Sequence, residues 1–168
     1  MTPPPTDPYP EPSPAAQLPQ ATLSTIVEHT PLVSIDLICH NPAGEVLLGW
    51  RRNRPARDSW FVPGGRIRKD ERVAQALQRI AAAELGLDPA SLPAVEFLRA
   101  WEHLYDDNFA GVEGVGTHYV VLGYSLALDR VPEALPHTQH RDYLWLTPDA
   151  MRARNDIHPN TLAYFPAR

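Results

Sequence analysis

Cysteine is almost missing from this chain. Cys39 is the single one in 168 residues, so no disulfide can form within one molecule. It sits inside an apolar strand pattern, where an inert buried thiol is expected rather than a nucleophile. No apolar run approaches the roughly 18 residues of a membrane span, so no transmembrane helix is expected. The first residues lack the basic start and apolar stretch of a secretory signal. Together these absences point to the cytoplasm, with no membrane partner. Positive charge is not in excess either. Fifteen Lys and Arg stand against 20 Asp and Glu, a formal net charge of -5, which argues against general nucleic-acid binding. Internal repeats with periods of about 20 to 50 residues are also absent.

Length and a hydrophobic content of 43% describe one globular domain with room for a core. Residues 1–20 hold eight of the 19 prolines, the composition of a disordered extension with no assigned function. The folded domain is expected over residues 21–168. Charge is unevenly spread: Arg51, Arg52, Arg54, Arg57, Arg66, Arg68 and Lys69 face only Asp58 across the same stretch. Beside the glycine pair Gly64-Gly65, that cluster suits a small polyanion, because guanidinium forks match phosphate oxygens.

Hydrophobic periodicity supplies the elements. Leu32 to His40 alternates, with Val33, Ile35 and Leu37 on one face and Ser34 and Asp36 on the other. Asn41 to Gly44 is a turn, and Glu45 to Arg52 the returning strand, on which Arg51 points away from Val46, Leu48 and Trp50. Asp70 is the expected N-cap of a helix from Glu71 to Leu85 that Gly86 stops. Val73, Ala76, Leu77, Ile80 and Ala81 form its apolar stripe. Strands are expected at Val95 to His103, Thr117 to Leu128 and Tyr143 to Leu146, with a polar loop from Tyr105 to Gly116. Tyr119 shares a face with Val121, Gly123 and Ser125, a small-residue surface that suits a ligand groove or close packing. A last helix begins after Thr147 or Pro148. Strands between helices make this an α+β chain, a mixed sheet in an α/β/α sandwich.

The stretch Trp60 to Leu87 carries the chemistry. It fits the pattern G-x5-E-x7-R-E-U-x-E-E-x-G-U at Gly65, Glu71, Arg79, Glu84, Gly86 and Leu87. Two glutamates of the pattern are replaced, by Ile80 and Ala83. This resembles the Nudix box, and therefore the Nudix hydrolase superfamily and its fold. The segments TPLVSIDLI from Thr30, NRPARDSWFVPGGRIRKDE from Asn53, WEHLYDDNFAG from Trp101, THYVVLGY from Thr117 and WLTPDA from Trp145 narrow the resemblance to the GDP-mannose mannosyl hydrolases.

Carboxylates at 80, 83 and 84 would share one side of the helix and hold several Mg2+ ions near phosphorus. Only Glu84 remains, which suits one Mg2+, a hard ion that leans on substrate phosphates. The resemblance implies two further ligands, the Gly64 carbonyl and the Gln139 side chain, with Mn2+ as a substitute metal. It implies that water attacks carbon C1 of the sugar, with inversion, and releases GDP from GDP-mannose or GDP-glucose. By the same resemblance His140 is the general base, in a loop. Arg51 and Arg66 stabilise the leaving diphosphate, while Asp36, Tyr119 and His103 attend the sugar and leaving group. Leu18 and Leu23 line the nucleotide site, where Leu23 replaces an aromatic ring and Gln17 an apolar residue. A homodimer is also implied. Glu71 and Arg79 brace the loop against the helix. Two other readings stay open: a Nudix pyrophosphohydrolase acting at phosphorus, and a non-catalytic module that binds a nucleotide sugar.

Overall fold

The computed structural model describes residues 18–130, 132 and 134–166. Gln17 and most of the proline-rich start lie outside them. In chain order the elements are α1 (Gln20–His29), β1 (Leu32–His40), β2 (Val46–Arg51), β3 (Trp60–Phe61), β4 (Gly64–Arg66) and α2 (Val73–Leu85). After a 3₁₀ turn at Pro89–Ser91 come β5 (Val95–Tyr105), β6 (Thr117–Ala127), β7 (His140–Leu146), α3 (Pro148–Arg152) and α4 (Pro159–Leu162).

The strands form one mixed sheet with the order β3-β2-β1-β6-β5; β4 adds to β1 and β7 to β2. β1 and β6 pair in parallel over their whole length, Leu32 opposite Tyr119 and His40 opposite Ala127. β1 meets β2 only at His40 and Val46, while β4 takes the same edge of β1 farther back, at Ser34, Ile35 and Asp36. The sheet therefore opens between β1 and β2, and the candidate site lies in that opening.

The two faces of β1 explain the layers. Ile35, Leu37 and Cys39 pack with Ala76, Leu77, Ile80 and Ala81 of α2. Ile38 packs on the other side with Val46, Leu48, Met151, Ile157 and Tyr164. Period-2 alternation sends Asp36 to the same side as Ile38, toward the C-terminal helices. Both faces are covered, so from Ser34 to Cys39 every residue of β1 is buried. Val33, expected in the core, is 44% exposed because it precedes the covered part of the strand.

Several elements differ from the sequence expectation, β5 among them, which runs to Tyr105 rather than His103. The helix α1 has no side-chain cap and only Leu23 and Val27 buried, too weak a pattern to mark it. Helix α2 starts at Val73 with Arg72 as N-cap, not at Glu71. Asp70 has φ +60, outside the extended region that an N-cap needs; the Arg72 N–H instead donates to Gln75 Oε1 at 3.0 Å. The strand β7 begins at His140, three residues earlier than Tyr143. The short helix α4, capped by the His158 ring, was not anticipated. Gly86 does end α2, in the left-handed conformation at φ 67.

On β6 the small-residue surface serves both expected purposes, close packing and a groove. A Cβ on Gly123 would lie 2.2 Å from the Trp101 ring, so that face is packed at Gly123, while Tyr119 and Val121 on the same face line a cavity.

Candidate active site

A cavity of about 1050 Å³ lies in the opening of the sheet. Leu18 and Leu23, Asp36, Arg51, Gly64 and Arg66, His103, Tyr119 and Gln139 all line it. Nine of the eleven residues expected at the site thus share one wall system, although they come from α1 and the residues before it, five strands and the segment before β7. Glu84 and His140 sit outside that lining.

Glu84 is only 4% exposed on the last turn of α2. The Gln139 side-chain N–H donates to its Oε1 at 2.6 Å, and His140 Nε2 lies 3.2 Å from its Oε2. Neither partner is a fixed cation, and a buried carboxylate needs compensation. A carboxylate and a carboxamide oxygen are donors of the kind a hard divalent ion takes, and Gly64, whose carbonyl the resemblance adds to them, lines the same cavity as Gln139. Gln139 would serve with its oxygen, so its amide must turn from the present hydrogen bond. Ile80 is 1% exposed and packs in the core, its Cγ1 3.2 Å from where a Gly65 Cβ would lie. Ala83 lines the cavity. Among the described residues there is no group of three or more His, Cys, Asp or Glu able to hold a metal.

His140 departs from the expected loop position. It is the first residue of β7, has no exposed surface, and its ring fills the space over Gly49, where a Cβ would come within 2.3 Å of Nδ1. In this arrangement the imidazole touches Glu84 and stacks near Tyr143, with centroids 5.4 Å apart. It does not meet the cavity directly. A bulge between Gly49 and Arg51 sets it opposite Arg51.

Asp36 lies at the cavity wall, 7% exposed. Burial pushes its carboxyl up to about 7, against the lowering effects of the Tyr164 hydrogen bond and the Arg51 charge. The Tyr164 hydroxyl donates to Asp36 Oδ2 at 2.5 Å and lies 3.3 Å from His103 Nε2. His103 is pushed down to about 4, first by burial and then by His158. Near pH 7 that favours the neutral ring. Burial also raises Tyr119, while Arg66 and Arg51 pull against it. Arg51 thus acts on both Asp36 and Tyr119. Its Nη2 donates to the Pro55 carbonyl at 3.4 Å, and its Nε is buried without a hydrogen-bond partner. An orphaned guanidinium donor beside a basic cavity is fitted to an anionic oxygen.

Arg52, Arg54, Arg57 and Arg68 of the basic cluster line the same cavity. Arg54 is 3.9 Å from Asp107 and Arg57 is 3.3 Å from Asp58. Sequence reading missed Tyr105, Phe109 and Tyr164. Phe109 lines the cavity. It sits in a loop folded around Asn108, whose carboxamide bonds to Val112 and Val115 carbonyls and to the Ala110 and Val112 N–H groups.

The loop brace is built as expected. Arg79 donates from Nε and Nη2 to the two oxygens of Glu71, at 2.6 and 2.7 Å, and from Nη2 to the Arg66 carbonyl at 2.8 Å. Glu71 also accepts from the Arg68 N–H at 2.9 Å. The Arg79 hydrogen bond holds the Glu71 carboxyl below its ordinary value of 4.5. A carboxylate depressed in the folded state stabilises the fold above its unfolded pKa, and that contribution is lost as pH falls through the folded value. Glu71→Gln is expected to cost about 2 kcal/mol at pH 7. Denaturant titrations from pH 7 to pH 3 should show the gap between wild type and variant narrowing below the usual glutamate range.

This arrangement is a mixed sheet between helices, with a glycine-rich loop braced on a helix that carries a buried carboxylate. The NUDIX domain family matches residues 30–166, and the chain belongs to that family. Nudix hydrolases act on nucleoside diphosphate derivatives and generally require a divalent metal, usually Mg2+. The low-salt glycan biosynthesis protein Agl8 of Haloferax volcanii is 41% identical over 117 residues, 69% of this chain and 71% of that protein. An RNA pyrophosphohydrolase of Hahella chejuensis is 41% identical over 68 residues, 40% of each chain. The MutT protein from Methanosarcina mazei shares the fold, with a TM-score of 0.62 at 17% identity, covering 82% of this chain and 91% of that one. Among the described residues no helix is long and apolar enough to cross a membrane.

Proposed function

We propose that the protein hydrolyses GDP-mannose, with GDP-glucose as a second substrate, to GDP and free hexose. The observation that carries this reading is the fate of the helix carboxylates: Ile80 is in the core and Ala83 at the cavity, so Glu84 stands alone. A single acidic ligand suits one Mg2+, or Mn2+ in its place, bound by Glu84, Gln139 and the Gly64 carbonyl. The ion would supply charge stabilisation to the diphosphate. The name of the Haloferax relative, a glycan biosynthesis protein, is in keeping with a sugar nucleotide.

In this reaction a water oxygen forms a bond to sugar C1 on the face opposite the diphosphate. The C1–O bond breaks and its electron pair leaves with GDP. Arg51 and Arg66 meet the charge that develops on the leaving oxygens. Asp36 faces the sugar and supports positive charge at C1. Tyr119 closes the same wall, Leu18 and Leu23 flank the base, and His103 acts as a neutral partner of Tyr164. His140 is the base assigned by resemblance and takes the proton of water. Its burial over Gly49 and against Glu84 means that the ring must gain access to the cavity before it can take that proton. The protein is proposed to work as a cytoplasmic homodimer.

A second reading keeps attack at phosphorus, and the likeness to an RNA pyrophosphohydrolase favours it. Hydrolysis of GDP-mannose in 18O-water separates the two. Label in mannose, beside unlabelled GDP, is the expected result. Label in GMP or in hexose 1-phosphate overturns the reading and establishes the second. No product from any nucleotide sugar, with ligand-induced stabilisation retained, would make the protein a binding module.

A further inference from the structure

We infer that Tyr164 is a positioning residue for the reaction: its hydroxyl fixes the orientation of the Asp36 carboxyl at the cavity wall, with His103 behind it. The inference rests on the proposed function for the role of Asp36, and on geometry for the rest.

Both oxygens of Asp36 are specified. Oδ1 lies against Gly64, where a Cβ would come within 2.4 Å of it. Oδ2 accepts from the Tyr164 hydroxyl at 2.5 Å. The phenol has one proton, which goes to the carboxyl, so its oxygen is left to accept from His103 Nε2 at 3.3 Å. That order places the ring proton of His103 on Nε2 and makes a directed chain, His103 to Tyr164 to Asp36. Groups from several elements face this carboxyl: Arg51 from β2, Tyr105 and Tyr119 from β5 and β6, and Tyr164 from the C-terminal segment.

The phenol is itself held. Tyr164 is 9% exposed, and its ring meets Trp101 edge-on with centroids 4.7 Å apart. Its backbone N–H donates to the Thr161 carbonyl at 3.2 Å, which ties it to α4. Tyr164 does not line the cavity; Asp36 and His103 do. The hydroxyl therefore acts through its neighbours and not on substrate. An aspartate free to rotate would face the sugar only part of the time, and a misplaced group lowers turnover more than binding.

The test is a double-mutant cycle on GDP-mannose hydrolysis with Mg2+, using Tyr164→Phe, Asp36→Asn and the double variant, with products followed by 31P NMR. Tyr164→Phe should lower kcat about 10- to 100-fold, as loss of an outer-shell partner does, with KM unchanged. In the Asp36→Asn background it should have no further effect. An unchanged kcat, or an equal drop in both backgrounds, overturns the inference. If Tyr164→Phe folds poorly, or either variant turns over too slowly, 3,5-difluorotyrosine at position 164 replaces the kinetic readout. Its 19F signal should shift when Asp36 is changed to Asn, and an unmoved signal would also overturn the inference. The 19F result needs no turnover. GMP as product would sink the proposed function and leave the inferred Tyr164–Asp36 contact standing.

Discussion

Glu84→Gln is expected to abolish most activity while leaving the fold intact. Glu84 is the only carboxylate remaining among the three helix positions, and its burial at 4% exposure makes its charge matter. Removing one preorganised electrostatic group of an active site typically costs about 10² to 10³ in kcat. The change is nearly isosteric, and it replaces a buried charge with a neutral amide, so stability should hold or rise. Calorimetric titration with Mg2+ and kcat at saturating Mg2+ check both halves. A variant that turns over at the wild-type rate would mean that the buried carboxylate has no part in catalysis.

The second large effect is expected at Gly64. An added methyl would sit 2.4 Å from Asp36 Oδ1 and 2.6 Å from the Ile35 carbonyl oxygen. The carbonyl belongs to the buried strand β1 and cannot move aside. Gly64→Ala should cost about 1 to 3 kcal/mol by overpacking. Displacing the carboxyl or the loop by an ångström should lower turnover about 10²-fold. Gly44→Ala is the matched control. A Cβ there meets nothing within 4 Å, although φ is +76. It should lose about 1 to 2 kcal/mol from left-handed strain and keep its kcat. Thermal unfolding and steady-state kinetics on the pair separate steric damage to the site from backbone strain.

Much of this architecture was readable in advance because it depends on local rules. Alternation in β1 placed Asp36 away from α2, and the resemblance to the box implied a loop brace at Glu71 and Arg79, which takes the form of an ion pair. The parts that were not readable depend on long-range shape. The tyrosine that bonds Asp36 is 128 residues away along the chain, with no periodic signal to link them. The burial of His140 follows from the missing side chain at Gly49 and from a bulge that shifts the register between two strands. Asp70 was a reasonable helix cap by residue type. It was displaced because Glu71 is bonded to Arg68 and Arg79, which turns the backbone before the helix can begin.

The parallel pairing of β1 with β6 has a consequence for synthesis. An apolar strand ending at residue 40 waits for a partner ending at residue 127, a gap of 127 − 40 = 87 residues. At roughly 5 to 20 residues per second, the ribosome leaves that edge without its mate for roughly 4 to 17 s. During this interval the nascent chain presents an incomplete hydrophobic layer, and chaperone engagement or aggregation would compete with folding then rather than in the finished protein.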